Sequence, residues 1–309
     1  MRVYLLSYQH AFHAGNHADV LKHLTLLAVL EKLTTKSKPM FYLDTHAGAG
    51  LYDVGGQKAL KNSEFESGIL RLVENLEQQL SKENDEDAAT PSFVNVYIDN
   101  VKQALDNQCY LGSPRIASLM LREFDNAHAV ELSVEAENAL GRALHNLAIS
   151  SHCRDGFEAL RAYMPAKPNR GMVLIDPPYE QASEYAGVVD AVRSALIKWP
   201  NGCFMVWYPL LSPTRIDRKT NQEVENKKAG LSEHMVETIA KLPVKSALSI
   251  DLCPTVANVN TGMYGSGVCI VNPPWQLEQS LQQIVVLLTK TLVLDNNTLS
   301  GCKWLKQEA

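Results

Sequence analysis

The chain has 309 residues, 46% hydrophobic and 20% charged, enough for one large α/β domain or two small ones, and its composition excludes a disordered polymer. A formal charge of −5 excludes a histone-like or polybasic binder, but not a nucleic-acid enzyme with a local basic rim. The six cysteines, at 109, 153, 203, 253, 269 and 302, form no Cys-x-x-Cys pair. That spacing, a start too short for a signal peptide and no run near the roughly 18 apolar residues of a membrane span predict a cytoplasmic protein with no membrane partner.

From Asn16 to Leu33, Val20, Leu24, Leu27 and Leu30 recur at helical spacing until Pro39. Met40-Phe41-Tyr42-Leu43 then reads as a short buried strand, running into Asp44-Thr45-His46-Ala47-Gly48-Ala49-Gly50. Gly48 and Gly50 would let the backbone approach a ligand closely. Asp53 replaces the third glycine of the dinucleotide fingerprint, which disfavours a plain NAD site. A purely structural turn stays open at this point.

Residues 54–111 read as an insertion into a domain made of 1–53 and 112–309. Ser63 and Glu66 suggest a capping box before a helical stripe of Ile69, Val73, Leu76 and Leu80. A second helix is expected from Pro91 to Leu105, and the tract from Lys82 to Asp87 reads as a solvated acidic loop. Beyond the insertion, strand signals at 127–132, 149–153, 171–175, 203–208 and 268–271 alternate with helical stretches such as 135–148 and 185–198. Such alternation predicts a mostly parallel, doubly wound sheet with helices on both faces.

Three acids fall at successive strand ends: Glu131, suited to two ribose hydroxyls; Asp155 before Gly156, suited to an adenine amino group; and Asp176. A single carboxylate is usually a cap or a surface group. Three after one glycine turn instead predict a ligand carrying amines, hydroxyls and positive charge. Asp176 opens Asp176-Pro177-Pro178-Tyr179 at the carboxyl end of the apolar run 171–175, where open α/β sheets bind ligands. Its carboxylate and the Pro177 carbonyl would accept the two N–H protons of a planar amine while the Tyr179 ring stacks on its face. A second match, Asn272-Pro273-Pro274-Trp275, follows a later strand expected to be peripheral. Asn272 lacks the charge to take a proton, so Asp176 is preferred.

His10, His13, His17 and His23 with Asp19 admit three readings: a metal site, for which no His-Glu-x-x-His pattern speaks; cap and packing histidines; or a polar segment over a cofactor pocket, with Lys22 and His23 facing the ligand. No metal is expected. For contacts to a nucleic-acid backbone the candidates are Arg215, Arg218, Lys219, Lys227 and Lys228, although a solvated loop is the preferred reading of this segment.

These residues together resemble the class I methyltransferases that modify exocyclic amines, and more closely the J-type 23S rRNA adenine-N6 methyltransferase family. The resemblance runs through Ser7-Tyr8, His13 to His23, Leu43 to Gly50, Gly112-Ser113-Pro114, Asp155-Gly156-Phe157, Ile175 to Glu180, Trp207-Tyr208-Pro209 and Asn272 to Trp275. It implies a Rossmann-like α/β domain with a small inserted helical subdomain, S-adenosylmethionine as cofactor, 23S rRNA as partner and a monomer. By motif position it implies that Lys22, His23, His46, Gly48, Gly50, Ser113, Glu131, Asp155, Gly156 and Asp176 hold or border the cofactor. Tyr8, Pro177 and Tyr179 would meet the target base, and Asp176 would accept the proton. Ser133 departs from the pattern, where a histidine is expected. A DNA adenine-N6 methyltransferase, a glutamine-N5 methyltransferase and a non-catalytic RNA-binding assembly factor remain the competing readings.

Overall fold

Every residue from Ala18 to Leu30 is buried, because helix α1 (His17–Thr34) is apolar on nearly all sides and such a helix must sit inside the domain. Its start is set by Asn16, whose side-chain oxygen accepts from the backbone N–H groups of Ala18 and Asp19. The computed structural model describes residues 10–80, 90–217, 219–295 and 297–307. Tyr8, the acidic tract 82–87 and Arg218 lie outside the described residues.

After α1 come β1 (Phe41–Asp44), β2 (Leu51–Asp53), α2 (Gln57–Asn62), a π-helical turn over Glu66–Leu70, α3 (Arg71–Leu80), α4 (Ser92–Leu105) and β3 (Cys109–Leu111). The main domain continues with α5 (Ser113–Ser118), β4 (Asn126–Glu131), α6 (Val134–Ala143), β5 (Ser150–Cys153), α7 (Gly156–Tyr163), β6 (Gly171–Ile175) and α8 (Ala182–Lys198). The last elements are β7 (Cys203–Leu211), β8 (Thr214–Ile216), β9 (Glu223–Glu225), α9 (Leu231–Ala240), β10 (Ala247–Leu252), β11 (Met263–Val271), α10 (Leu277–Leu292) and β12 (Gly301–Lys306).

Eight strands form one sheet in the order β12-β10-β11-β7-β6-β1-β4-β5. The stretch β7-β6-β1-β4-β5 is parallel, and β11, β10 and β12 join it antiparallel to their neighbours. Strands β1 and β6 are buried along their whole length, as parallel strands covered on both faces must be. Their side chains alternate between two cores. Tyr42, Met172 and Leu174 join the cluster under α1 and α10, whereas Phe41, Leu43, Val173 and Ile175 join the cluster under α7, α8 and α9. This is the mostly parallel, doubly wound arrangement expected from the alternation of elements, and it agrees with the Rossmann-like domain that the resemblance implies. Among the described residues no helix is long and apolar enough to cross a membrane.

The inserted helices hang from a small ribbon in which β2 pairs antiparallel with β3. Leu72, Val73, Phe93, Val94, Tyr97 and Val101 pack into the same apolar cluster as α1. The expected capping box is not formed. Ser63 instead ends α2 in a left-handed conformation, φ 49°, and the chain continues as the π-helical turn.

Strand β11 corrects another expectation. It lies inside the sheet, between β10 and β7, and not at its periphery. Because it runs antiparallel to β7, with Val271 beside Phe204, its carboxyl end emerges at the amino end of β7. Asn272 therefore sits at the sheet edge opposite Asp176. Its amide donates to the Pro200 and Gly202 carbonyls, each at 3.0 Å, and accepts from the Lys245 N–H at 3.1 Å. That amide braces a turn, so the repeated motif is structural.

Candidate active site

The strand order reverses at β1, whose neighbours β4 and β6 lead to opposite halves of the sheet, and ligands bind at such a switch point beyond the strands' carboxyl ends. A cleft of about 770 Å³ opens there, within the usual range for a small-molecule site. The loop after β1 supplies His46, Gly48 and Ala49, the end of β4 supplies Glu131, the start of α7 supplies Asp155, Gly156 and Phe157, and the end of β6 supplies Asp176, Pro177 and Pro178. Ser113 at the start of α5 and Lys22 from α1 complete the wall. Of the residues expected to hold cofactor or substrate, these nine line the cleft: Lys22, His46, Gly48, Ser113, Glu131, Asp155, Gly156, Asp176 and Pro177.

Each acid is held in place. Glu131 accepts from the Gly48 N–H at 3.0 Å through one carboxylate oxygen and from the Ser133 N–H at 2.8 Å through the other. Ser133, where a histidine was expected, serves as N-cap of α6. Asp155 caps α7 by accepting from the Glu158 N–H at 2.8 Å. Gly48 has φ +62°, and a Cβ there would lie 2.1 Å from the Tyr52 hydroxyl, so the turn requires glycine. Gly156 is required for a different reason: an added Cβ would lie 2.1 Å from the Thr45 carbonyl oxygen. Gly156→Ala should push α7 away from β1, displace Asp155 and weaken binding of the expected nucleoside cofactor roughly tenfold or more in a calorimetric titration, the scale of one lost hydrogen bond to a charged group. Wild-type affinity would contradict this account.

Asp176 is tied to the N-terminal helix by an ionic chain. The Lys22 ammonium lies 2.6 Å from Asp176 Oδ2 and 2.8 Å from Asp19 Oδ1, and His10 donates to Asp19 Oδ2 at 2.9 Å. Lys22 and Asp19 are 5% and 3% exposed at the side chain, so solvent hardly screens them. The two carboxylates hold the lysine well above its ordinary range against the opposing cost of burial. Asp19 is held well below the usual carboxylate range by His10 and Lys22, again against burial. Lys22 is therefore a fixed cation that orients one face of the Asp176 carboxylate.

A second layer supports the first. Asp44 is fully buried, accepts from the Ser113 hydroxyl at 2.6 Å and from the His46 N–H at 3.2 Å, and burial pushes its pKa up to about 6. Thr45 donates to the Leu174 carbonyl, and its oxygen lies 2.8 Å from His46 Nδ1. Burial pushes the His46 imidazole down to about 4, so it is neutral at pH 7 and does not repel a cationic ligand.

Three expected contacts are corrected. His23 does not line the cleft: it is fully buried, stacks on Tyr110 and lies 2.9 Å from that hydroxyl. Lys22 and His23 are consecutive on one helix and project about 100° apart, so they do not share the cleft wall. Gly50 is buried and does not line the cleft, and a Cβ there would meet Leu140, Ala143 and Pro114. The Tyr179 ring is 2% exposed and turned into the core, where its hydroxyl donates to the Trp207 carbonyl at 2.7 Å and the ring tilts against Tyr185. A buried ring does not stack on an incoming base.

Lys228, expected at a nucleic-acid backbone, is half-buried and donates to the Tyr179 and Glu180 carbonyls. Arg215, Lys219 and Lys227 are exposed. Among the described residues no group of three His, Cys, Asp or Glu could hold a metal ion. The sequence reading missed Tyr52, which accepts from the Ala49 N–H and packs against His10, and Glu184, which lines the cleft and caps α8. Tyr52 carries little local signal because its ring partner, His10, comes from the N-terminal segment. The Gln181–Glu184 capping box has glutamine at its N-cap, outside the Ser/Thr-x-x-Glu signature, so residue spacing does not announce it.

Burial also depresses His17 to about 4 and His23 to about 3. In the unfolded chain these groups and His46 take protons near the ordinary 6.5, so the unfolded state binds more protons below that pH and stability falls. Asp44, raised to about 6, acts in the opposite sense with the raised Glu184, Asp251 and His13, while His128, depressed to about 4, and His152 act with the buried histidines. Thermal unfolding midpoints should drop between pH 6.5 and about 4; a flat profile would contradict the neutral-histidine assignment.

A model of the family described as "Ribosomal RNA large subunit methyltransferase D, RlmJ" matches residues 37–305. The chain belongs to this family. It is 33% identical to the ribosomal RNA large subunit methyltransferase J of Escherichia coli over 308 residues, covering 98% of this chain and 100% of that one. The Haemophilus influenzae protein of the same name is 33% identical over 309 residues, with the same coverage. The crystal structure of a Legionella pneumophila protein superposes with a TM-score of 0.77 at 30% identity, covering 96% of this chain and 98% of that one. This RlmJ-family chain thus shares its fold along almost its whole length with the Legionella protein.

Proposed function

We propose that this chain transfers a methyl group from S-adenosylmethionine to the N6 amine of an adenine in 23S rRNA, acting as a cytoplasmic monomer. The observation that carries this reading is the position of Asp176 and Pro177 on the wall of a cleft whose other walls present Glu131 and Asp155. The relatives' names supply the RNA class.

The donor set fits the cofactor. Glu131 and Asp155 would hold the ribose hydroxyls and the adenine amino group, and the Gly48 turn would let the backbone lie against the ligand. The cleft lining carries Asp53, Glu131, Glu135, Asp155, Asp176 and Glu184 against the single lysine Lys22, which favours a cationic ligand. When bound, S-adenosylmethionine supplies a methyl group already activated by its sulfonium.

The residues of the chain do the positioning. An adenine amine is a poor nucleophile because its lone pair is delocalised into the ring. The Asp176 carboxylate and the Pro177 carbonyl would accept its two N–H protons, favouring a pyramidal nitrogen and aiming the lone pair across the cleft. Asp176 then takes the proton that the nitrogen sheds on gaining a methyl group, a transfer that needs no strong base. Lys22 keeps the carboxylate aimed while this happens. The base must be unstacked to reach the cleft. With Tyr179 in the core, Tyr8 is the proposed aromatic contact to it.

Transfer of labelled methyl to total RNA, genomic DNA and protein in parallel, followed by nucleoside analysis, tests the reading. Label in N6-methyladenosine of large-subunit rRNA is expected. Label confined to DNA or protein would sink it.

A further inference from the structure

Tyr179 has φ +50°, a left-handed conformation that a bulky side chain adopts only where its surroundings impose it. The segment Asp176–Glu180 holds the proposed proton acceptor, the Pro177 carbonyl and this strained residue together, so what imposes the strain also shapes the site. One restraint is the Tyr179 hydroxyl on the Trp207 carbonyl. The other comes from far along the chain. The Lys228 ammonium donates to the Tyr179 carbonyl at 2.8 Å and to the Glu180 carbonyl at 3.4 Å.

Lys228 is itself rigidly presented. It follows Asn226, whose buried amide donates to the Ser212 carbonyl at 3.0 Å and whose N–H donates to the Pro213 carbonyl at 2.8 Å, fastening the end of β9 to the end of β7. The Lys228 N–H in turn donates to Asn226 Oδ1 at 3.3 Å. Strand β7 is the parallel neighbour of β6, so this turn stands at the same sheet edge as Asp176.

We propose that Lys228 is a positioning residue, whose two charge-assisted hydrogen bonds clamp the far end of the Asp176–Glu180 loop and so aim the Pro177 carbonyl at the amine. The loop is gripped at both ends by lysines: Lys22 on the Asp176 side chain and Lys228 on the backbone three and four residues on. Proline fixes φ at positions 177 and 178. The direction of the Pro177 carbonyl then depends on how the chain is held beyond Pro178, which is where Lys228 acts. Charge-assisted bonds of this kind are stronger than neutral ones. The inference rests on the amine-methylation reading above.

Lys228→Met and Lys228→Arg, with wild type, separate this role from two others. The expected result for Lys228→Met is a loss of roughly 10–100-fold in kcat, the scale of an ångström's misplacement. KM for RNA and Kd for the cofactor should stay within about threefold and Lys228→Arg should recover most of the turnover, as expected of a loss confined to positioning. A phosphate contact would instead raise KM, leave kcat unchanged and flatten the salt dependence of RNA binding. That pattern, or unchanged kinetics, overturns the proposal. A purely structural role would lower the melting temperature and the active fraction while leaving kcat per active site unchanged, and also overturns it. If Lys228→Met does not fold, Lys228→Gln, which keeps a neutral N–H donor, is read by the same split between kcat and KM. A wild-type chain that transfers no methyl group overturns the reaction itself and this inference with it. A turning-over wild type beside a variant of equal kcat overturns the inference alone.

Discussion

Replacing Asp176 by alanine is expected to lower methyl transfer by about 10²–10⁴-fold, the range for loss of a positioned proton acceptor, while cofactor affinity changes less than about threefold because the acids proposed to hold the nucleoside, Glu131 and Asp155, stand at the end of β4 and the start of α7. The fold should survive, since Lys22 keeps Asp19 at 2.8 Å and is not left unpaired. Asp176→Asn should fail almost as badly. It retains an accepting oxygen, but its NH₂ group either faces the substrate amine or meets the Lys22 ammonium, and it cannot take a proton. Single-turnover kinetics with saturating cofactor, beside calorimetric cofactor binding, separate the two effects. Transfer near the wild-type rate in Asp176→Ala would remove the central residue of the proposed mechanism.

Lys22→Met is expected to damage stability as well as turnover. The substitution leaves Asp19, 3% exposed, and Asp176, 13% exposed, without the cation between them. Stranding a buried charge in this way costs about 3–5 kcal/mol, or a fall of roughly 5–8 °C in melting temperature for a chain of this size. Turnover should fall with it, because Asp176 loses the group that aims it. A second substitution distinguishes stranded charge from lost packing. Asp19→Asn added to Lys22→Met removes one of the two carboxylates that lose Lys22, Asp19 keeping only His10 and the Gly15 N–H, and should restore part of the melting temperature without restoring turnover. If the double variant melts at or below Lys22→Met, the ionic chain is not what holds α1 to the catalytic loop.

Local signals made much of the site legible before folding is considered. The apolar run 171–175 is strand β6 as read, and its end places Asp176 on the cleft wall. The glycine turn and the strand-end acids Glu131 and Asp155 also line the cleft, because alternating strands and helices bring successive strand ends to one edge. Asn16 begins α1 where the cap chemistry predicts.

Other assignments failed for identifiable reasons. Its place in the tetrapeptide makes Tyr179 look like a stacking platform, but the left-handed backbone turns the ring inward, and no neighbour in the sequence reports that rotation. Adjacency in the sequence suggests that Lys22 and His23 share one role, but a helix separates adjacent side chains by about 100° and only packing decides which one meets the cleft. Asn272-Pro273-Pro274-Trp275 matched the motif, but strand direction is not written in a strand's residues. Antiparallel pairing of β11 with β7 carried it to the opposite edge.

The Asp-Pro-Pro-Tyr segment, the glycine turn and the strand-end acids are thus properties of the sequence by itself, because they rest on side-chain chemistry and on a two-residue strand period that hydrophobic burial enforces. Which of those groups face one another was decided only by the tertiary structure. Lys22 reaches Asp176 across 154 positions and Lys228 reaches Tyr179 across 49. Contacts at that separation depend on sheet order and strand direction, and those follow from the packing of the whole chain.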